Sequence, residues 1–361
     1  MTTAPRYLIL ADGAFGPFTS KTANGCLRFT PEQVVGVLDA AQAGRTVQDV
    51  LGYGGAIPVV ASVAAGLPLQ PNILLIGIAP SGGQLPAEWR PILRAALEAG
   101  LHIWSGLHVF IGDDPEFAAL AATHGVEILD VRKPPATLPV SSGSVRQLGT
   151  ETTVVLTVGS DCNIGKMTTQ LAVRSALRDM GYAVAFVGTG QTGIFIDGKG
   201  TSVDAVVADF VGGAAEQMVL EAASGADIVL VEGQGSLLHP GYSGVTLGLL
   251  HGSLPHALVL CTQPSRTTIR NNEWVPIPSL SELIALHDAV TKPLRHAPTI
   301  AVAMNTFDLS DDAARDAIER GMAETRLPVT DPVRFDPMTI AQAIAAFHVS
   351  RADGDRARGG R

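Results

Sequence analysis

A glycine-bounded loop with a lysine, residues 159–169 (GSDCNIGKMTT), carries the clearest chemical signal in this chain. It follows a β-branched run, residues 152–158, and precedes a helical stretch that ends near Gly181. In a strand, loop and helix of this kind, the N–H groups of the loop and the first helical turn converge on one point, where Lys166 adds a positive charge. The pattern predicts a phosphate site with Lys166 as a solvated ligand contact, the alternative being an ordinary turn with an exposed lysine.

The predicted cofactor-binding residues of this loop are Ser160, Asp161, Cys162, Asn163, Ile164, Gly165, Lys166, Met167 and Thr168. In the pattern G-x-x-x-x-G-K-[ST] the last hydroxyl holds Mg²⁺, but here that position is Met167, and Ser160 replaces the first glycine. A thioether is a poor ligand for a hard cation, and Thr168 lies about 100° further around the helix. We therefore expect the loop to hold a diphosphate rather than to cleave one, and we predict no metal ligands.

A second group of polar residues follows the apolar run 228–231. Glu232 ends that run, and the Gly-Gln-Gly turn after it contains Gln234. A carboxylate at the end of a buried strand suits a general base, and His239 is a second candidate base. The alternatives are a helix cap or loop ion pair for Glu232 and a structural or surface role for His239. Gln234 is predicted to contact the substrate.

Other polar residues follow predicted strands. Gln191 and Thr192 come after residues 183–187, and Asp204 and Asp209 are expected at the same edge if the sheet is parallel. We predict that Gln191 and Thr192 bind substrate. Asn305 follows residues 299–304, where it could read a nucleotide base or simply form a turn.

Two arginines are candidate clamps for a substrate carboxylate, because a guanidinium pairs with a carboxylate through two hydrogen bonds. Arg266 follows the strand that ends at Cys261, and Arg28 lies in a glycine-containing segment near the N-terminus. For each of them, a surface ion pair is the alternative.

Short apolar runs alternate with helical stretches along the whole chain, which predicts an α/β fold with parallel sheets. The predicted strands are 7–10, 34–38, 57–61, 73–78, 101–104, 126–129, 152–158, 183–187, 228–231, 257–261 and 299–304. A segment rich in Pro, Ser, Gly and Thr, residues 133–152, is predicted to be a linker or an edge excursion. We expect one domain over residues 1–140, a second over 150–350, and a disordered charged tail from 351 to 361.

The composition of the chain excludes several classes of function. The 361 residues are 46% hydrophobic and 16% charged, with a net charge of −9 and no basic stripe, so nucleic acid is a poor partner. The three cysteines lack disulfide or zinc spacing, and no apolar run reaches the length of a membrane span. We expect a cytoplasmic enzyme, a homo-oligomer, that acts on a small molecule.

Longer motifs resemble a known family. They are GSDCNIGKMTT, FVGTGQTGI, VDAVVADFVGGAAE, VEGQGSLLHPGYSGVTLGLLHG, IPVVASVAAGL and IGIAPSGGQLPAEWR. They look like the domain-of-unknown-function 1611 family, whose better-understood members are D-glutamate N-acetyltransferases, over about residues 6 to 345. The loop and the VEGQG motif also look like dethiobiotin synthetase, which has a hydroxyl at the position of Met167. The resemblance implies an N-terminal Rossmann-like domain and a C-terminal P-loop domain resembling dethiobiotin synthetase.

The family further implies transfer of an acetyl group from acetyl-CoA to the amine of an acidic D-amino acid. In this hypothesis the loop holds the phosphates of coenzyme A, and Glu232 or His239 removes the proton of the amine. Two alternatives stay open. One is a kinase or ligase that uses ATP with Mg²⁺, and the other is a protein that senses a nucleotide without catalysis.

Overall fold

The computed structural model describes residues 4–78, 80 and 83–359. The chain divides into two units: unit 1 is Met1–Pro134 with Ile194–Ala205, and unit 2 is Pro135–Gly193 with Val206–Arg361. The division falls after Pro134, at the start of the predicted linker 133–152. In addition, a short stretch from the second half of the sequence belongs to unit 1, which the sequence pattern does not predict.

Six strands of the described part of unit 1 form one parallel sheet. They are β1 Tyr7–Leu10, β2 Val34–Leu38, β3 Val59–Val60, β4 Ile73–Ile76, β5 His102–Ser105 and β6 Ile128–Asp130. Their order, β3-β2-β1-β4-β5-β6, is that of a dinucleotide-binding α/β sheet. The predicted strand 57–61 shrinks to two residues, and Pro58 within it has no N–H to donate to a neighbouring strand.

Helices connect these strands. They are α1 Lys21–Phe29, α2 Val47–Leu51, α3 Val63–Gly66, α4 Arg90–Glu98 and α5 Pro115–His124, with 3-10 turns at Pro31–Gln33, Ala40–Gln42, Leu67–Leu69, Ala87–Trp89 and Ile111–Asp113. The apolar strands form the core of the unit. All four residues of β1 and all four of β4 are buried. Such runs, apolar on both faces, suit a sheet that is covered on both sides.

Residues 194–205 complete the core of unit 1. Phe195 is 1% exposed, its carbonyl accepts a hydrogen bond from the Tyr7 hydroxyl at 3.4 Å, and its ring stacks on Trp104. Asp204 forms an ion pair with Arg132 in the same unit. Asp204, which was expected at the sheet edge of the second domain, therefore belongs to unit 1.

Unit 2 contains a second parallel sheet and a small antiparallel hairpin. The sheet strands are β7 Thr153–Gly159, β8 Val184–Val187, β9 Ile228–Val231, β10 Ala257–Thr262, β13 Thr299–Met304 and β14 Val329–Thr330, and the hairpin is β11 Thr268–Ile269 with β12 Asn272–Pro276. The sheet order is β14-β13-β10-β7-β9-β8. From β7 the chain continues to β8 at one edge of the sheet, whereas from the neighbouring β10 it continues to β13, towards the other edge. Ligands of such sheets bind where neighbouring strands connect in opposite directions, so we expect a ligand crevice beyond the carboxyl end of β7.

The remaining helices cover this sheet. They are α6 Lys166–Asp179, α8 Ala208–Ala222, α9 Ser243–Ser253, α10 Leu280–Thr291, α11 Asp311–Thr325 and α12 Met338–Gly359, with a 3-10 turn at Ser144–Gln147. Helix α7 Gln191–Asp197 begins in unit 2 and continues into the segment 194–205 of unit 1, which also contains the 3-10 turn Val203–Ala205. Helix α12 includes residues 351–359, for which the composition predicts disorder. Arg351 connects this helix to the start of the sheet, because its guanidinium donates to the Thr152 carbonyl and the Thr153 hydroxyl. Among the described helices, none is both long and apolar enough to cross a bilayer.

Helices α8 and α9 touch through their backbones. A Cβ built on Gly252 of α9 would lie 2.1 Å from the Gly212 carbonyl oxygen of α8 and 2.6 Å from the Gly212 Cα. A Cβ on Gly248, one turn earlier, would meet Val211 at 2.4 Å. Glycine is therefore required for this close approach, and any side chain at position 252 would push the helices apart.

The predicted linker is held in place by one carboxylate. Glu216 of α8 accepts hydrogen bonds from the N–H groups of Ser142, Gly143 and Ser144 and from the hydroxyls of Ser141 and Ser142. Burial opposes ionisation of Glu216, but these donors outweigh it and lower its pKa to about 2. The linker is thus fixed to α8.

We expect Glu216 to make stability depend on acid. Its ionised form contributes stability above its ordinary pKa of about 4.3, and this contribution is lost as the pH falls towards about 2. At neutral pH, Glu216→Gln should cost about 2 kcal/mol, because an amide cannot accept every bond that the carboxylate accepts. Urea unfolding between pH 2 and pH 7 measures both effects. Glu221→Gln, on the exposed side of the same helix, is the control, and an equal loss in both variants would contradict the assignment.

Candidate functional site

The predicted phosphate loop lies between β7 and α6 in unit 2. Strand β7 ends at Gly159, helix α6 begins at Lys166, and Gly165 has a left-handed φ of 104°. Ser160 is fully buried and donates its N–H to the Cys261 carbonyl of β10 at 3.0 Å. The strand, loop and helix context of the sequence prediction is therefore present, with the loop fixed to the neighbouring strand.

Lys166 is buried rather than solvated, which corrects the sequence-based expectation. It is 7% exposed, and its Nζ donates to the Asp161 and Gly235 carbonyls, both at 2.8 Å. The side chain folds over Gly159, whose Cβ, if it had one, would lie 3.3 Å from Nζ. The lysine therefore connects its own loop to the loop after β9, and its charge is held at the N-terminus of α6.

Asp161 joins the phosphate loop to the segment after β10. Its Oδ2 accepts hydrogen bonds from Arg266 NH1 at 2.8 Å and from the Arg270 N–H at 2.9 Å, while its Oδ1 accepts the Cys162 N–H. Asp161 is fully buried, and the Arg266 side chain is 16% exposed. Arg266 also donates to the Cys162 carbonyl and to Gln263 Oε1. The predicted carboxylate clamp thus already binds a carboxylate of its own chain.

A wall opposite the loop is formed by residues 235–242. The Ser236 hydroxyl donates to the Ser160 carbonyl at 3.0 Å, and Gly235 accepts from Lys166. His239 is 8% exposed and its ring packs on Tyr242 with centroids 4.4 Å apart. Its Nδ1 accepts the Gly241 N–H at 3.1 Å, so in the neutral ring the proton is on Nε2. This tautomer has no free lone pair on Nε2, which disfavours His239 as the general base.

Within the described residues, Asp161, Cys162 and His239 place an oxygen, a sulfur and a nitrogen within 4.8 Å of one another, the spacing of a possible metal site. However, both Asp161 oxygens already accept N–H groups, and Arg266 supplies a positive charge beside them. A metal-bound histidine normally donates its second N–H, whereas Nδ1 of His239 accepts one. The charges and donors of this cluster favour an anion.

Glu232 lies at the end of β9 in a buried polar setting. Its Oε2 accepts the N–H groups of Thr189 at 3.0 Å and of Gly190 at 3.2 Å, and its Oε1 accepts from Gln234 Nε2 at 3.3 Å. A Cβ on Gly193, in the first turn of α7, would lie 2.3 Å from Oε2, so the glycine leaves room for the carboxylate in this position. Glu232 therefore holds the turn after β8, and it remains the candidate base.

The other predicted residues of unit 2 lie at the same edge of the sheet. Gln191 and Thr192 open α7 directly after the turn held by Glu232, and Gln234 also donates to the Thr189 hydroxyl. Asn305 follows β13, and its Nδ2 lies 4.0 Å from a Cβ built on Gly165. Of the other predicted loop residues, Asn163 is exposed, Ile164 is buried, and Met167 and Thr168 are half-buried in the first turn of α6.

Arg28 belongs to unit 1. It is exposed on α1, and its guanidinium lies 5.2 Å from the centre of the Tyr53 ring. The glycine-containing segment around it is helical, since residues 24–29 belong to α1. Its role as a substrate clamp stays a prediction.

Sequence reasoning missed Ser236 and Arg270. Ser236 follows the Gly-Gln-Gly turn, and its hydroxyl reaches the Ser160 carbonyl of the phosphate loop. Arg270 contributes a backbone N–H from the β11–β12 hairpin, and Asn271 at its turn has a φ of 62°. The Asn-Asn pair at 271–272 is the signal that could have predicted this hairpin.

Comparison with known proteins places this geometry in a family. A model described as a DUF1611 P-loop domain matches residues 139–341, and one described as a DUF1611 Rossmann-like domain matches residues 40–134. The chain is 35% identical over 342 residues to D-glutamate N-acetyltransferase from Tritonibacter scottomollicae, covering 94% of this chain and 98% of the relative. It is also 35% identical over 335 residues to D-glutamate N-acetyltransferase from a Pseudoalteromonas species, covering 92% and 97%.

A solved structure is similar over the whole chain. The crystal structure of a DUF1611 family protein from Anabaena variabilis is 41% identical, with a TM-score of 0.89. The match covers 95% of this chain and 100% of that chain. The Rossmann-like and P-loop architecture predicted from the motifs is therefore confirmed.

Proposed function

Because the chain belongs to the DUF1611 family over both of its domains, we propose that it is an N-acetyltransferase that moves an acetyl group from acetyl-CoA to the amine of an acidic D-amino acid such as D-glutamate. The observation that carries this proposal is the cationic phosphate loop in a chain that is 35% identical, over almost its full length, to two D-glutamate N-acetyltransferases. Acetyl-CoA supplies an activated acetyl group and phosphates that a cationic loop can bind.

The residues of the loop fit the phosphates of coenzyme A. Lys166 holds a buried positive charge at the start of the 14-residue helix α6, whose first N–H groups have no helical acceptors. Gly165 at the N-cap and Gly233 opposite both lack side chains, and a Cβ at position 233 would lie 1.8 Å from the Thr157 carbonyl. Gly233 therefore packs on β7, whereas the open side of Gly165 lets an anion approach the N-terminus of α6. The residue after Lys166 is Met167, which has no hydroxyl to hold Mg²⁺.

Glu232 is the proposed acceptor for the proton of the amine. An amine at neutral pH is mostly protonated, so a positioned base is needed before it can attack a carbonyl carbon. Glu232 is 4% exposed, and a Cβ built on Gly233 beside it would lie 3.2 Å from Lys166 Cδ, so the carboxylate follows directly on a residue packed near the phosphate loop. Gln191, Thr192 and Gln234 surround the same turn and are the proposed contacts of the acceptor.

The direct test is an acceptor screen with acetyl-CoA in which release of free thiol is followed. We expect turnover with acidic D-amino acids, loss of turnover with their L-enantiomers, and no effect of EDTA, because neither step above uses a metal. Turnover that requires ATP and Mg²⁺ would instead support a kinase or ligase. Binding of nucleotides without turnover of any acceptor would support a sensing protein.

A substitution at Arg266 tests the contacts that hold the phosphate loop. Since its guanidinium holds Asp161 and the Cys162 carbonyl, Arg266→Lys should loosen the phosphate loop. We expect the KM for acetyl-CoA to rise about tenfold while the acceptor KM changes little, a loss of about 1.4 kcal/mol. Steady-state kinetics with each substrate varied in turn measures this. A rise in the acceptor KM alone would restore Arg266 as the carboxylate clamp, and Arg270→Lys, which keeps the backbone N–H on Asp161, is the control.

A further inference from the structure

Residues 235–242 form a wall of the phosphate site whose only side-chain N–H donor is the ring of His239. Two hydrogen bonds connect this wall to the loop: Lys166 Nζ to the Gly235 carbonyl, and the Ser236 hydroxyl to the Ser160 carbonyl. Lys166, Ser160 and Ser236 are buried, so these contacts hold the wall against the loop. His239 follows Ser236 by three residues and is itself 8% exposed.

The ring of His239 is fixed in orientation and in tautomer. The Gly241 N–H donates to Nδ1 at 3.1 Å, and the Tyr242 ring packs against the imidazole. The neutral ring therefore carries its proton on Nε2, the nitrogen that points away from Gly241. A ring nitrogen of His239 lies within 4.8 Å of a carboxylate oxygen of Asp161 and of the Cys162 sulfur, which places the ring at the loop.

The neighbouring charges favour a ligand that accepts a hydrogen bond. Lys166 is a cation, and the oxygens of Asp161 accept Arg266, the Arg270 N–H and the Cys162 N–H. A further N–H donor at this point suits an oxygen of a phosphate or diphosphate. Resting on the phosphate-binding part of the proposed function, we propose that His239 binds the ligand as a neutral donor: its Nε2–H donates to a phosphate oxygen, and it is not the catalytic base.

Two substitutions separate the roles of the two ring nitrogens. In His239→Asn the side-chain oxygen can take the place of Nδ1 and accept the Gly241 N–H, but no donor reaches the position of Nε2. In His239→Gln the amide N–H reaches about as far as Nε2, so the donor is retained. A base would be lost in both variants, because neither amide takes up a proton at neutral pH.

The experiment is calorimetric titration of the wild type and both variants with coenzyme A and, separately, with inorganic pyrophosphate. We expect His239→Asn to weaken both ligands by about 10- to 100-fold, the range for a hydrogen bond to a charged group, and His239→Gln to stay within about threefold of the wild type. Thermal unfolding of each variant shows whether the fold is kept.

Three results would overturn the proposal: unchanged affinity in His239→Asn, equal loss in both variants, or no binding of pyrophosphate to the wild type. If the wild type binds pyrophosphate with the expected pattern but does not bind coenzyme A, the donor role stands and the acetyl-CoA assignment fails. Turnover adds an independent readout. In His239→Asn the loss should appear mainly as a higher KM for acetyl-CoA, whereas loss of a base would lower kcat by about 10²-fold or more in both variants.

Discussion

Replacing Lys166 by alanine is expected to lower the affinity for coenzyme A by about 100-fold or more. The ammonium is 7% exposed at the N-terminus of α6, so its attraction to an anion is screened less than that of a surface lysine. Losing one partner of such a desolvated charge pair typically costs 2–5 kcal/mol, which is about 30- to 5000-fold in affinity. Equilibrium titration with coenzyme A measures this loss directly.

Because Lys166 also donates to the Asp161 and Gly235 carbonyls, the alanine variant could lose stability as well as affinity. Lys166→Met keeps most of the aliphatic stem and removes only the charge, so it should bind as weakly as the alanine variant while it unfolds closer to the wild type. Lys292→Ala removes an exposed lysine from the same unit and is the matched control for net charge. Unchanged affinity in a folded Lys166→Met variant would reject the phosphate loop.

Gly252→Ala is expected to lower the free energy of unfolding by about 3 kcal/mol relative to Gly244→Ala. The added methyl group would lie 2.1 Å from the Gly212 carbonyl oxygen, a backbone atom that cannot turn aside, so helices α8 and α9 must separate. Overpacking of this kind typically costs 1–3 kcal/mol. Gly244, in the first turn of the same helix, meets nothing within 4 Å, and alanine there should stabilise by up to about 1 kcal/mol through helix propensity.

Urea unfolding of both variants gives the comparison. If Gly252→Ala is as stable as Gly244→Ala, the backbone contact between the two helices does not exist in solution. A loss that appears only on heating, with unchanged urea midpoints, would also argue against it, because a steric clash acts under both conditions.

The phosphate loop could be predicted because the residues that determine its structure are neighbours in the sequence. The strand, the glycines at 159 and 165, the lysine and the helix are contiguous, and each fixes the backbone of its neighbour. The sheet strands were predictable for a related reason, since runs such as β7 and β10 are buried along their whole length and read as uninterrupted apolar segments.

The contacts that give the site its chemistry were not predictable in this way. Arg266 and Asp161 are 105 positions apart, so an arginine after β10 looks equally suited to a ligand carboxylate or to one in its own chain. The tautomer of His239 depends on the N–H of Gly241, a backbone group without a sequence signature. Lys166 appeared solvated because lysines usually are, and only the adjoining loop at Gly235 buries it.

The return of residues 194–205 to unit 1 constrains how the chain can be made and cut. The Trp104 ring stacks on the Phe195 ring, and the Tyr7 hydroxyl donates to the Phe195 carbonyl. These contacts can form only after about 90 residues beyond Trp104 have been synthesised, and by then β7 and α6 have also left the ribosome. The first half therefore cannot complete its core during translation before the second half has begun to form. For the same reason, a fragment that stops near residue 140 would expose aromatic surface and tend to aggregate, whereas a nick in the chain between β6 and β7 would leave both cores intact.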